Sequence, residues 1–100
     1  MIISLGEAKE YLRVDFPEDD QLISGLLATA WNLTADVARL PDGKKEEIWN
    51  GRETNPSVDC LRGATLYALG YLYEHREEAD HHALTLTLRS LLFAIREGVV

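Results

Sequence analysis

The chain has 100 residues, 46% of them hydrophobic and 27% charged, with a formal net charge of −7. These totals describe one globular domain, residues 1–100, with a modest core and a stability in the ordinary range of about 5–15 kcal/mol. They argue against tight capture of a phosphate backbone, because nucleic-acid affinity comes mainly from Lys and Arg, and the longest basic run is Lys44-Lys45.

The first element is a short helix over about residues 5 to 13. Ser4 and Glu7 form a capping box, in which each residue satisfies a backbone N–H of the other. Leu5, Ala8, Tyr11 and Leu12 follow at helical spacing. "VDFPEDD" then breaks the pattern. Pro17 has no N–H to donate and suits the first turn of a new helix, with Asp15 as its expected cap. Glu18, Asp19 and Asp20 fall near the positive end of that helix dipole, so the acidic turn Asp15, Glu18, Asp19 and Asp20 has a structural role to play. An EF-hand loop would need ligand spacings that are missing here.

A long second helix is predicted from about 18 to 39. Leu22, Ile23, Leu26, Leu27, Ala30, Leu33, Val37 and Leu40 make its apolar stripe, with Trp31 and Ala35 off the centre. Pro41 and Gly43 stop it. Residues 41–55 read as a charged connector with two apolar residues, Ile48 and Trp49, and Asn50-Gly51 reads as a tight turn that would allow a small hairpin. Trp49 either tucks over the core or meets a partner.

Asn55 as cap and Pro56 at the first position open a third helix, about 56 to 77. Its middle, residues 63–73, carries no charge. Leu61, Ala64, Thr65, Ala68, Leu69 and Leu72 share one face, while Tyr67 and Tyr71 lie on others. A helix this apolar needs cover on most sides, from a fourth helix or a neighbouring subunit. Gly63 and Gly70, seven apart, share a face and are expected to permit close approach. The alternation in "LTLTL" reads as an extended lead-in over 83–86. A short helix capped by Thr87 then runs to Arg96. The expected fold class is all-α: a small bundle of about four helices, two long and two short, with a long connector between the second and third.

Chemistry-bearing patterns are sparse. Cys60 is the sole cysteine, which excludes a CxxC metal site and an intrachain disulfide; it reads as a small buried hydrophobe in a reducing compartment. His75, His81 and His82 lie near Glu74, Glu78 and Asp80, but HExxH is absent. No serine sits in a GxSxG elbow and no glycine-rich phosphate loop is present. A helix-turn-helix reading of residues 5–39 fails, because its recognition helix would open with three carboxylates facing phosphates. There is no signal-peptide pattern and no uncharged apolar stretch of membrane-spanning length. No catalytic, cofactor or metal site stands out among these residues, and the chain is expected to be made in the cytoplasm. Ile48, Trp49, Tyr67, Gly70 and Tyr71 are its candidate subunit or partner contacts.

Leu12-Arg13-Val14-Asp15 closes the first helix and Asp19-Asp20-Gln21-Leu22-Ile23 opens the second. The proline-led third helix ends in Tyr73-Glu74-His75-Arg76-Glu77, and Leu91-Leu92 with Arg96 closes the chain. In order and spacing these segments resemble the head–tail connector, or head-completion adaptor, family of tailed bacteriophages and prophages. The likeness spans most of the chain outside 41–55. Thr85 and Thr87 stand where that family often has proline and glycine. The resemblance implies a non-enzymatic, homo-oligomeric ring, dodecameric on the portal protein, that seats the tail or a stopper protein at the virion neck. DNA would be passing cargo, with no tight nucleic-acid binding and no membrane. Assembly would take place in the host cytoplasm. The alternatives are a generic acidic helical protein–protein interaction module or small regulator without ring assembly, and a small metal-dependent enzyme using residues 74–82.

Overall fold

The computed structural model describes residues 2–52, 56–75 and 80–93. Among them are five α-helices and no strand: α1 Leu5–Leu12, α2 Asp20–Val37, α3 Asp42–Trp49, α4 Pro56–Glu74 and α5 His81–Leu91. The all-helical bundle is as expected, with one helix more than the four anticipated. The expected cap at Asn55 and the segment up to Arg96 lie outside the described residues.

α1 begins where the capping box places it. The Ser4 hydroxyl accepts from the Glu7 N–H at 3.1 Å, and the Glu7 carboxylate accepts from the Ser4 N–H at 3.4 Å. The helix ends at Arg13, which takes the left-handed conformation (φ 58°), and the Val14 N–H reaches back to the Lys9 carbonyl at 2.9 Å. A single 3₁₀ turn, Pro17–Asp19, leads into α2. Asp15 is not its cap: Phe16 holds that position, and no side chain closes it.

α2 and α4 form the central pair and run antiparallel, since Tyr73 near the end of α4 donates from its hydroxyl to Asp19, just before α2. The buried face of α4 is the predicted set: Leu61, Ala64, Thr65, Ala68, Leu69 and Leu72. That of α2 is rotated from the expected stripe. Trp31, Thr34 and Ala35 are buried with Ile23, Leu27, Ala30 and Val37, whereas Leu22 is exposed. The rotation follows from cover on a second side: the Trp31 ring is stacked against Trp49, with centroids 5.3 Å apart.

Trp49 belongs to α3, the helix missed in the sequence. Pro41 and Gly43 read as breakers, yet Pro41 sits at the N-cap, where a missing N–H costs nothing. Burial of Ile48 and the Trp31–Trp49 stack supply what propensity does not. Asn50-Gly51 is not a hairpin turn. Gly51 (φ 76°) terminates α3, and the Arg52 N–H bonds the Glu47 carbonyl at 2.9 Å.

The second miss is residues 83–86, which are helical rather than extended. Alternating leucines satisfy both periods. What decides is the Asp80 carboxylate, which accepts from the Ala83 N–H at 3.0 Å, together with the burial of Leu84, Leu88 and Leu92 at intervals of four. Thr87 is therefore not a cap. It lies inside α5 and donates from its hydroxyl to the Ala83 carbonyl at 3.2 Å.

Candidate functional site

α4 is gripped from two sides. Arg62 pairs with Glu7, the same carboxylate that closes the α1 capping box, and its Nε donates to the Ile2 carbonyl at 3.2 Å. One turn and two turns further on, Leu66 and Gly70 continue this α1-facing row. A Cβ built on Gly70 would lie 3.2 Å from Cε2 of Tyr11. α1 thus runs alongside α4 in the same direction. Its register is also held against α2, through the Lys9 ammonium on the Asp20 carboxylate at 2.5 Å.

On the other side α5 returns antiparallel to α4. The Tyr71 hydroxyl accepts from the Asp80 N–H at 3.1 Å at one end, and the Cys60 thiol donates to the Leu91 carbonyl at 3.4 Å at the other. The Tyr71 ring also stacks on His75, with centroids 4.3 Å apart. Cys60 is exposed, contrary to the buried position expected of it. It falls on the rim of α4, where its thiol meets the Leu91 carbonyl of α5.

Between α1 and α5, among the described residues, one row of α4 is largely uncovered: Gly63, Tyr67 and Glu74 are exposed, and Gly70, half-buried beside Tyr11, lies at its edge. These four follow one another at intervals of four, three and four residues and so share a face. Gly63 is exposed, with nothing within 4 Å of a Cβ added there. Tyr67 is 42% exposed, and Tyr11, leaning over from α1, is 50% exposed. The end of the row opens into a surface cavity of about 660 Å³ bounded by Tyr11, Arg13, Tyr67, Gly70, Tyr71 and Glu74. The uncharged middle of α4 is thus only partly covered by the described residues.

The anticipated contact residues divide accordingly. Tyr67, Gly70 and Tyr71 come together around this cavity, with Tyr71 also tied to α5 through Asp80. Ile48 does not: it is buried in the chain's own core, so it offers no side chain to a partner. Trp49 is half-buried on Trp31 and lies with the core cover rather than on the α4 face. Tyr11 carried no functional signal in the sequence, because a tyrosine at a helical position of a short amphipathic helix reads as core.

The acidic turn is spent on structure at its second half. Asp19 accepts from Tyr73 at 3.4 Å and Asp20 pairs with Lys9, while Asp15 and Glu18 are exposed. In the 74–82 segment, Asp80 is a helix cap and His75 a stacking partner. Among the described residues no three His, Cys, Asp or Glu side chains converge as a metal site would need. No helix among them is long and apolar enough to cross a membrane. No family model, curated protein or solved structure matches the chain.

Proposed function

We propose that this protein is a structural adaptor of the tailed-phage neck, of head–tail connector type, that assembles as a ring on the portal, seats the tail or a stopper protein, and lets DNA pass. The observation that carries this reading is the largely uncovered row of α4: a glycine-bearing helix face with the half-exposed Tyr67 in it and the half-exposed Tyr11 beside it. A face of this kind on a 100-residue chain is suited to protein contact.

The charge supports the same reading. A net charge of −7 suits a conduit, since attraction to phosphates would slow sliding and ejection. The sequence resemblance, carried by Leu12–Asp15, Asp19–Ile23, Tyr73–Glu77 and Leu91-Leu92 with Arg96, points the same way. The stub α1 has a clear place in such a protein: it stiffens the rim of the open face through Arg62–Glu7 and the Tyr11 contact.

The test is reconstitution. The chain is co-expressed with the portal protein of the genome that encodes it, and the particles are sized by sedimentation and imaged by electron microscopy. The expected result is a ring of this chain stacked coaxially on the portal, with no salt-sensitive duplex binding by the chain alone. Separate migration of the two proteins under all conditions would refute the adaptor reading.

A further inference from the structure

α5 carries a second surface with apolar residues that the described residues leave uncovered. Leu84, Leu88 and Leu92 face the core, and the opposite row is His82, Leu86, Arg89 and Phe93. Leu86 is 49% exposed, and Phe93, just past the last turn, is 62% exposed. The row holds an arginine and a histidine and no acid.

We propose that this α5 row of one copy docks antiparallel on the open Gly63–Tyr67–Gly70–Glu74 row of α4 in the next copy. The inference deepens the ring reading, on which it rests only in requiring self-association. Both rows step by four, three and four residues. Set antiparallel, His82 meets Glu74, Leu86 meets Gly70, Arg89 meets Tyr67 and Phe93 meets Gly63. Each bulky apolar side chain then faces a glycine, and each basic one faces a carboxylate or an aromatic ring. Leu86 enters the cavity of about 660 Å³ beside Tyr11. Phe93 covers Gly63, where the surface is empty.

The parallel setting loses this match. It puts His82 on Gly63, Leu86 on Tyr67, Arg89 on Gly70 and Phe93 against the Glu74 carboxylate. Direction is therefore specified by size and charge together. Because the two rows belong to different surfaces, the contact is heterologous, the kind that propagates into a ring. A single row-on-row contact buries less than the roughly 1,200 Å² of a stable specific complex, so the pair is weak in isolation and is best trapped covalently.

The experiment places cysteines at one predicted rung. In a Cys60→Ser background, Gly63→Cys and Phe93→Cys are combined, circular dichroism checks the fold, and the concentrated protein is oxidised. Disulfide geometry admits only Cα separations of about 4.4–6.8 Å, which makes the link a test of register. The expected result is a ladder of covalent dimers, trimers and higher multiples, with each single variant stopping at dimers. Gly63→Cys with Leu86→Cys, displaced by about 10 Å along the helix, should link at least tenfold more slowly. Equal rates for the two pairs would overturn the proposal. So would dominant 63–63 dimers, which mean a symmetric contact, or an intrachain 63–93 bond, which means the chain's own end covers α4. Rings that form without the 63–93 link would remove this interface and leave the adaptor reading standing. A non-linking chain that stays monomeric at high concentration removes it too, and portal binding then decides the adaptor reading separately.

Discussion

Two buried threonines allow the packing of the central helix pair to be tested. Thr34 on α2 and Thr65 on α4 are both 0% exposed. The Thr65 hydroxyl donates to the Leu61 carbonyl at 2.7 Å, whereas Oγ1 of Thr34 has no hydrogen-bond partner among the described residues. Valine has the same shape as threonine and nearly the same helix propensity, so a Thr→Val change isolates the hydroxyl. Burying an unmatched hydroxyl costs about 1–3 kcal/mol by protein mutational data. Thr34→Val should therefore stabilise the protein by about 1–2 kcal/mol. Thr65→Val loses a hydrogen bond worth about 1 kcal/mol and gains a buried methyl, so it should be neutral or destabilising by up to about 1 kcal/mol. For a chain this size each kcal/mol moves Tm by about 4–8 °C. Thermal and urea unfolding by far-ultraviolet circular dichroism, in dilute solution so that self-association adds nothing, would read the difference. If Thr34→Val destabilises as much as Thr65→Val, the Thr34 hydroxyl has a partner and the packing of α2 described above is wrong.

Other substitutions probe the remaining elements. Arg39, like Arg13, closes its helix in the left-handed region at φ 59°, so Arg39→Gly should raise stability by about 1 kcal/mol; a loss in urea midpoint would contradict that conformation. Gly70→Leu gains helix propensity but drives a side chain into the Tyr11 ring, and a net loss of about 1–2 kcal/mol is expected. An unchanged Tm would mean that α1 does not lie on α4 as described. Trp49→Ala removes the stack on Trp31 and should cost about 2–3 kcal/mol, with the emission of Trp31 shifting to the red as water reaches it. A variant of wild-type stability would assign Trp49 to a surface role instead.

Where local chemistry is decisive, the chain announces its structure. Ser4 and Glu7 are three apart, so the start of α1 is a local hydrogen-bond question that the sequence answers alone. Pro17 and Pro56 mark helix starts because a residue without an N–H is cheapest there. The buried face of α4 is legible as well, since six apolar or threonine positions at spacings of three and four admit one helical face. The open row on its other side could be anticipated as an excess of apolar surface, though not located.

What tertiary structure decided is the set of cases where local signals are ambiguous or contrary. Residues 42–49 carry a glycine and little amphipathic pattern; they are helical because Ile48 finds the core and Trp49 finds Trp31, partners that sit far away along the chain. "LTLTL" fits a strand or a helix equally, and the Asp80 cap with the pocket for Leu84 and Leu88 selects the helix. Which row of α4 stays uncovered depends on Arg62 catching Glu7 and Tyr71 catching Asp80, a side-chain ion pair and a backbone-to-side-chain hydrogen bond that no spacing rule contains. The amino-acid order by itself determined where helices can begin and how much apolar surface they bring. Only packing decided which of that surface is shared within the chain and which is left facing outward, because burial is a property of pairs of elements and not of either one alone.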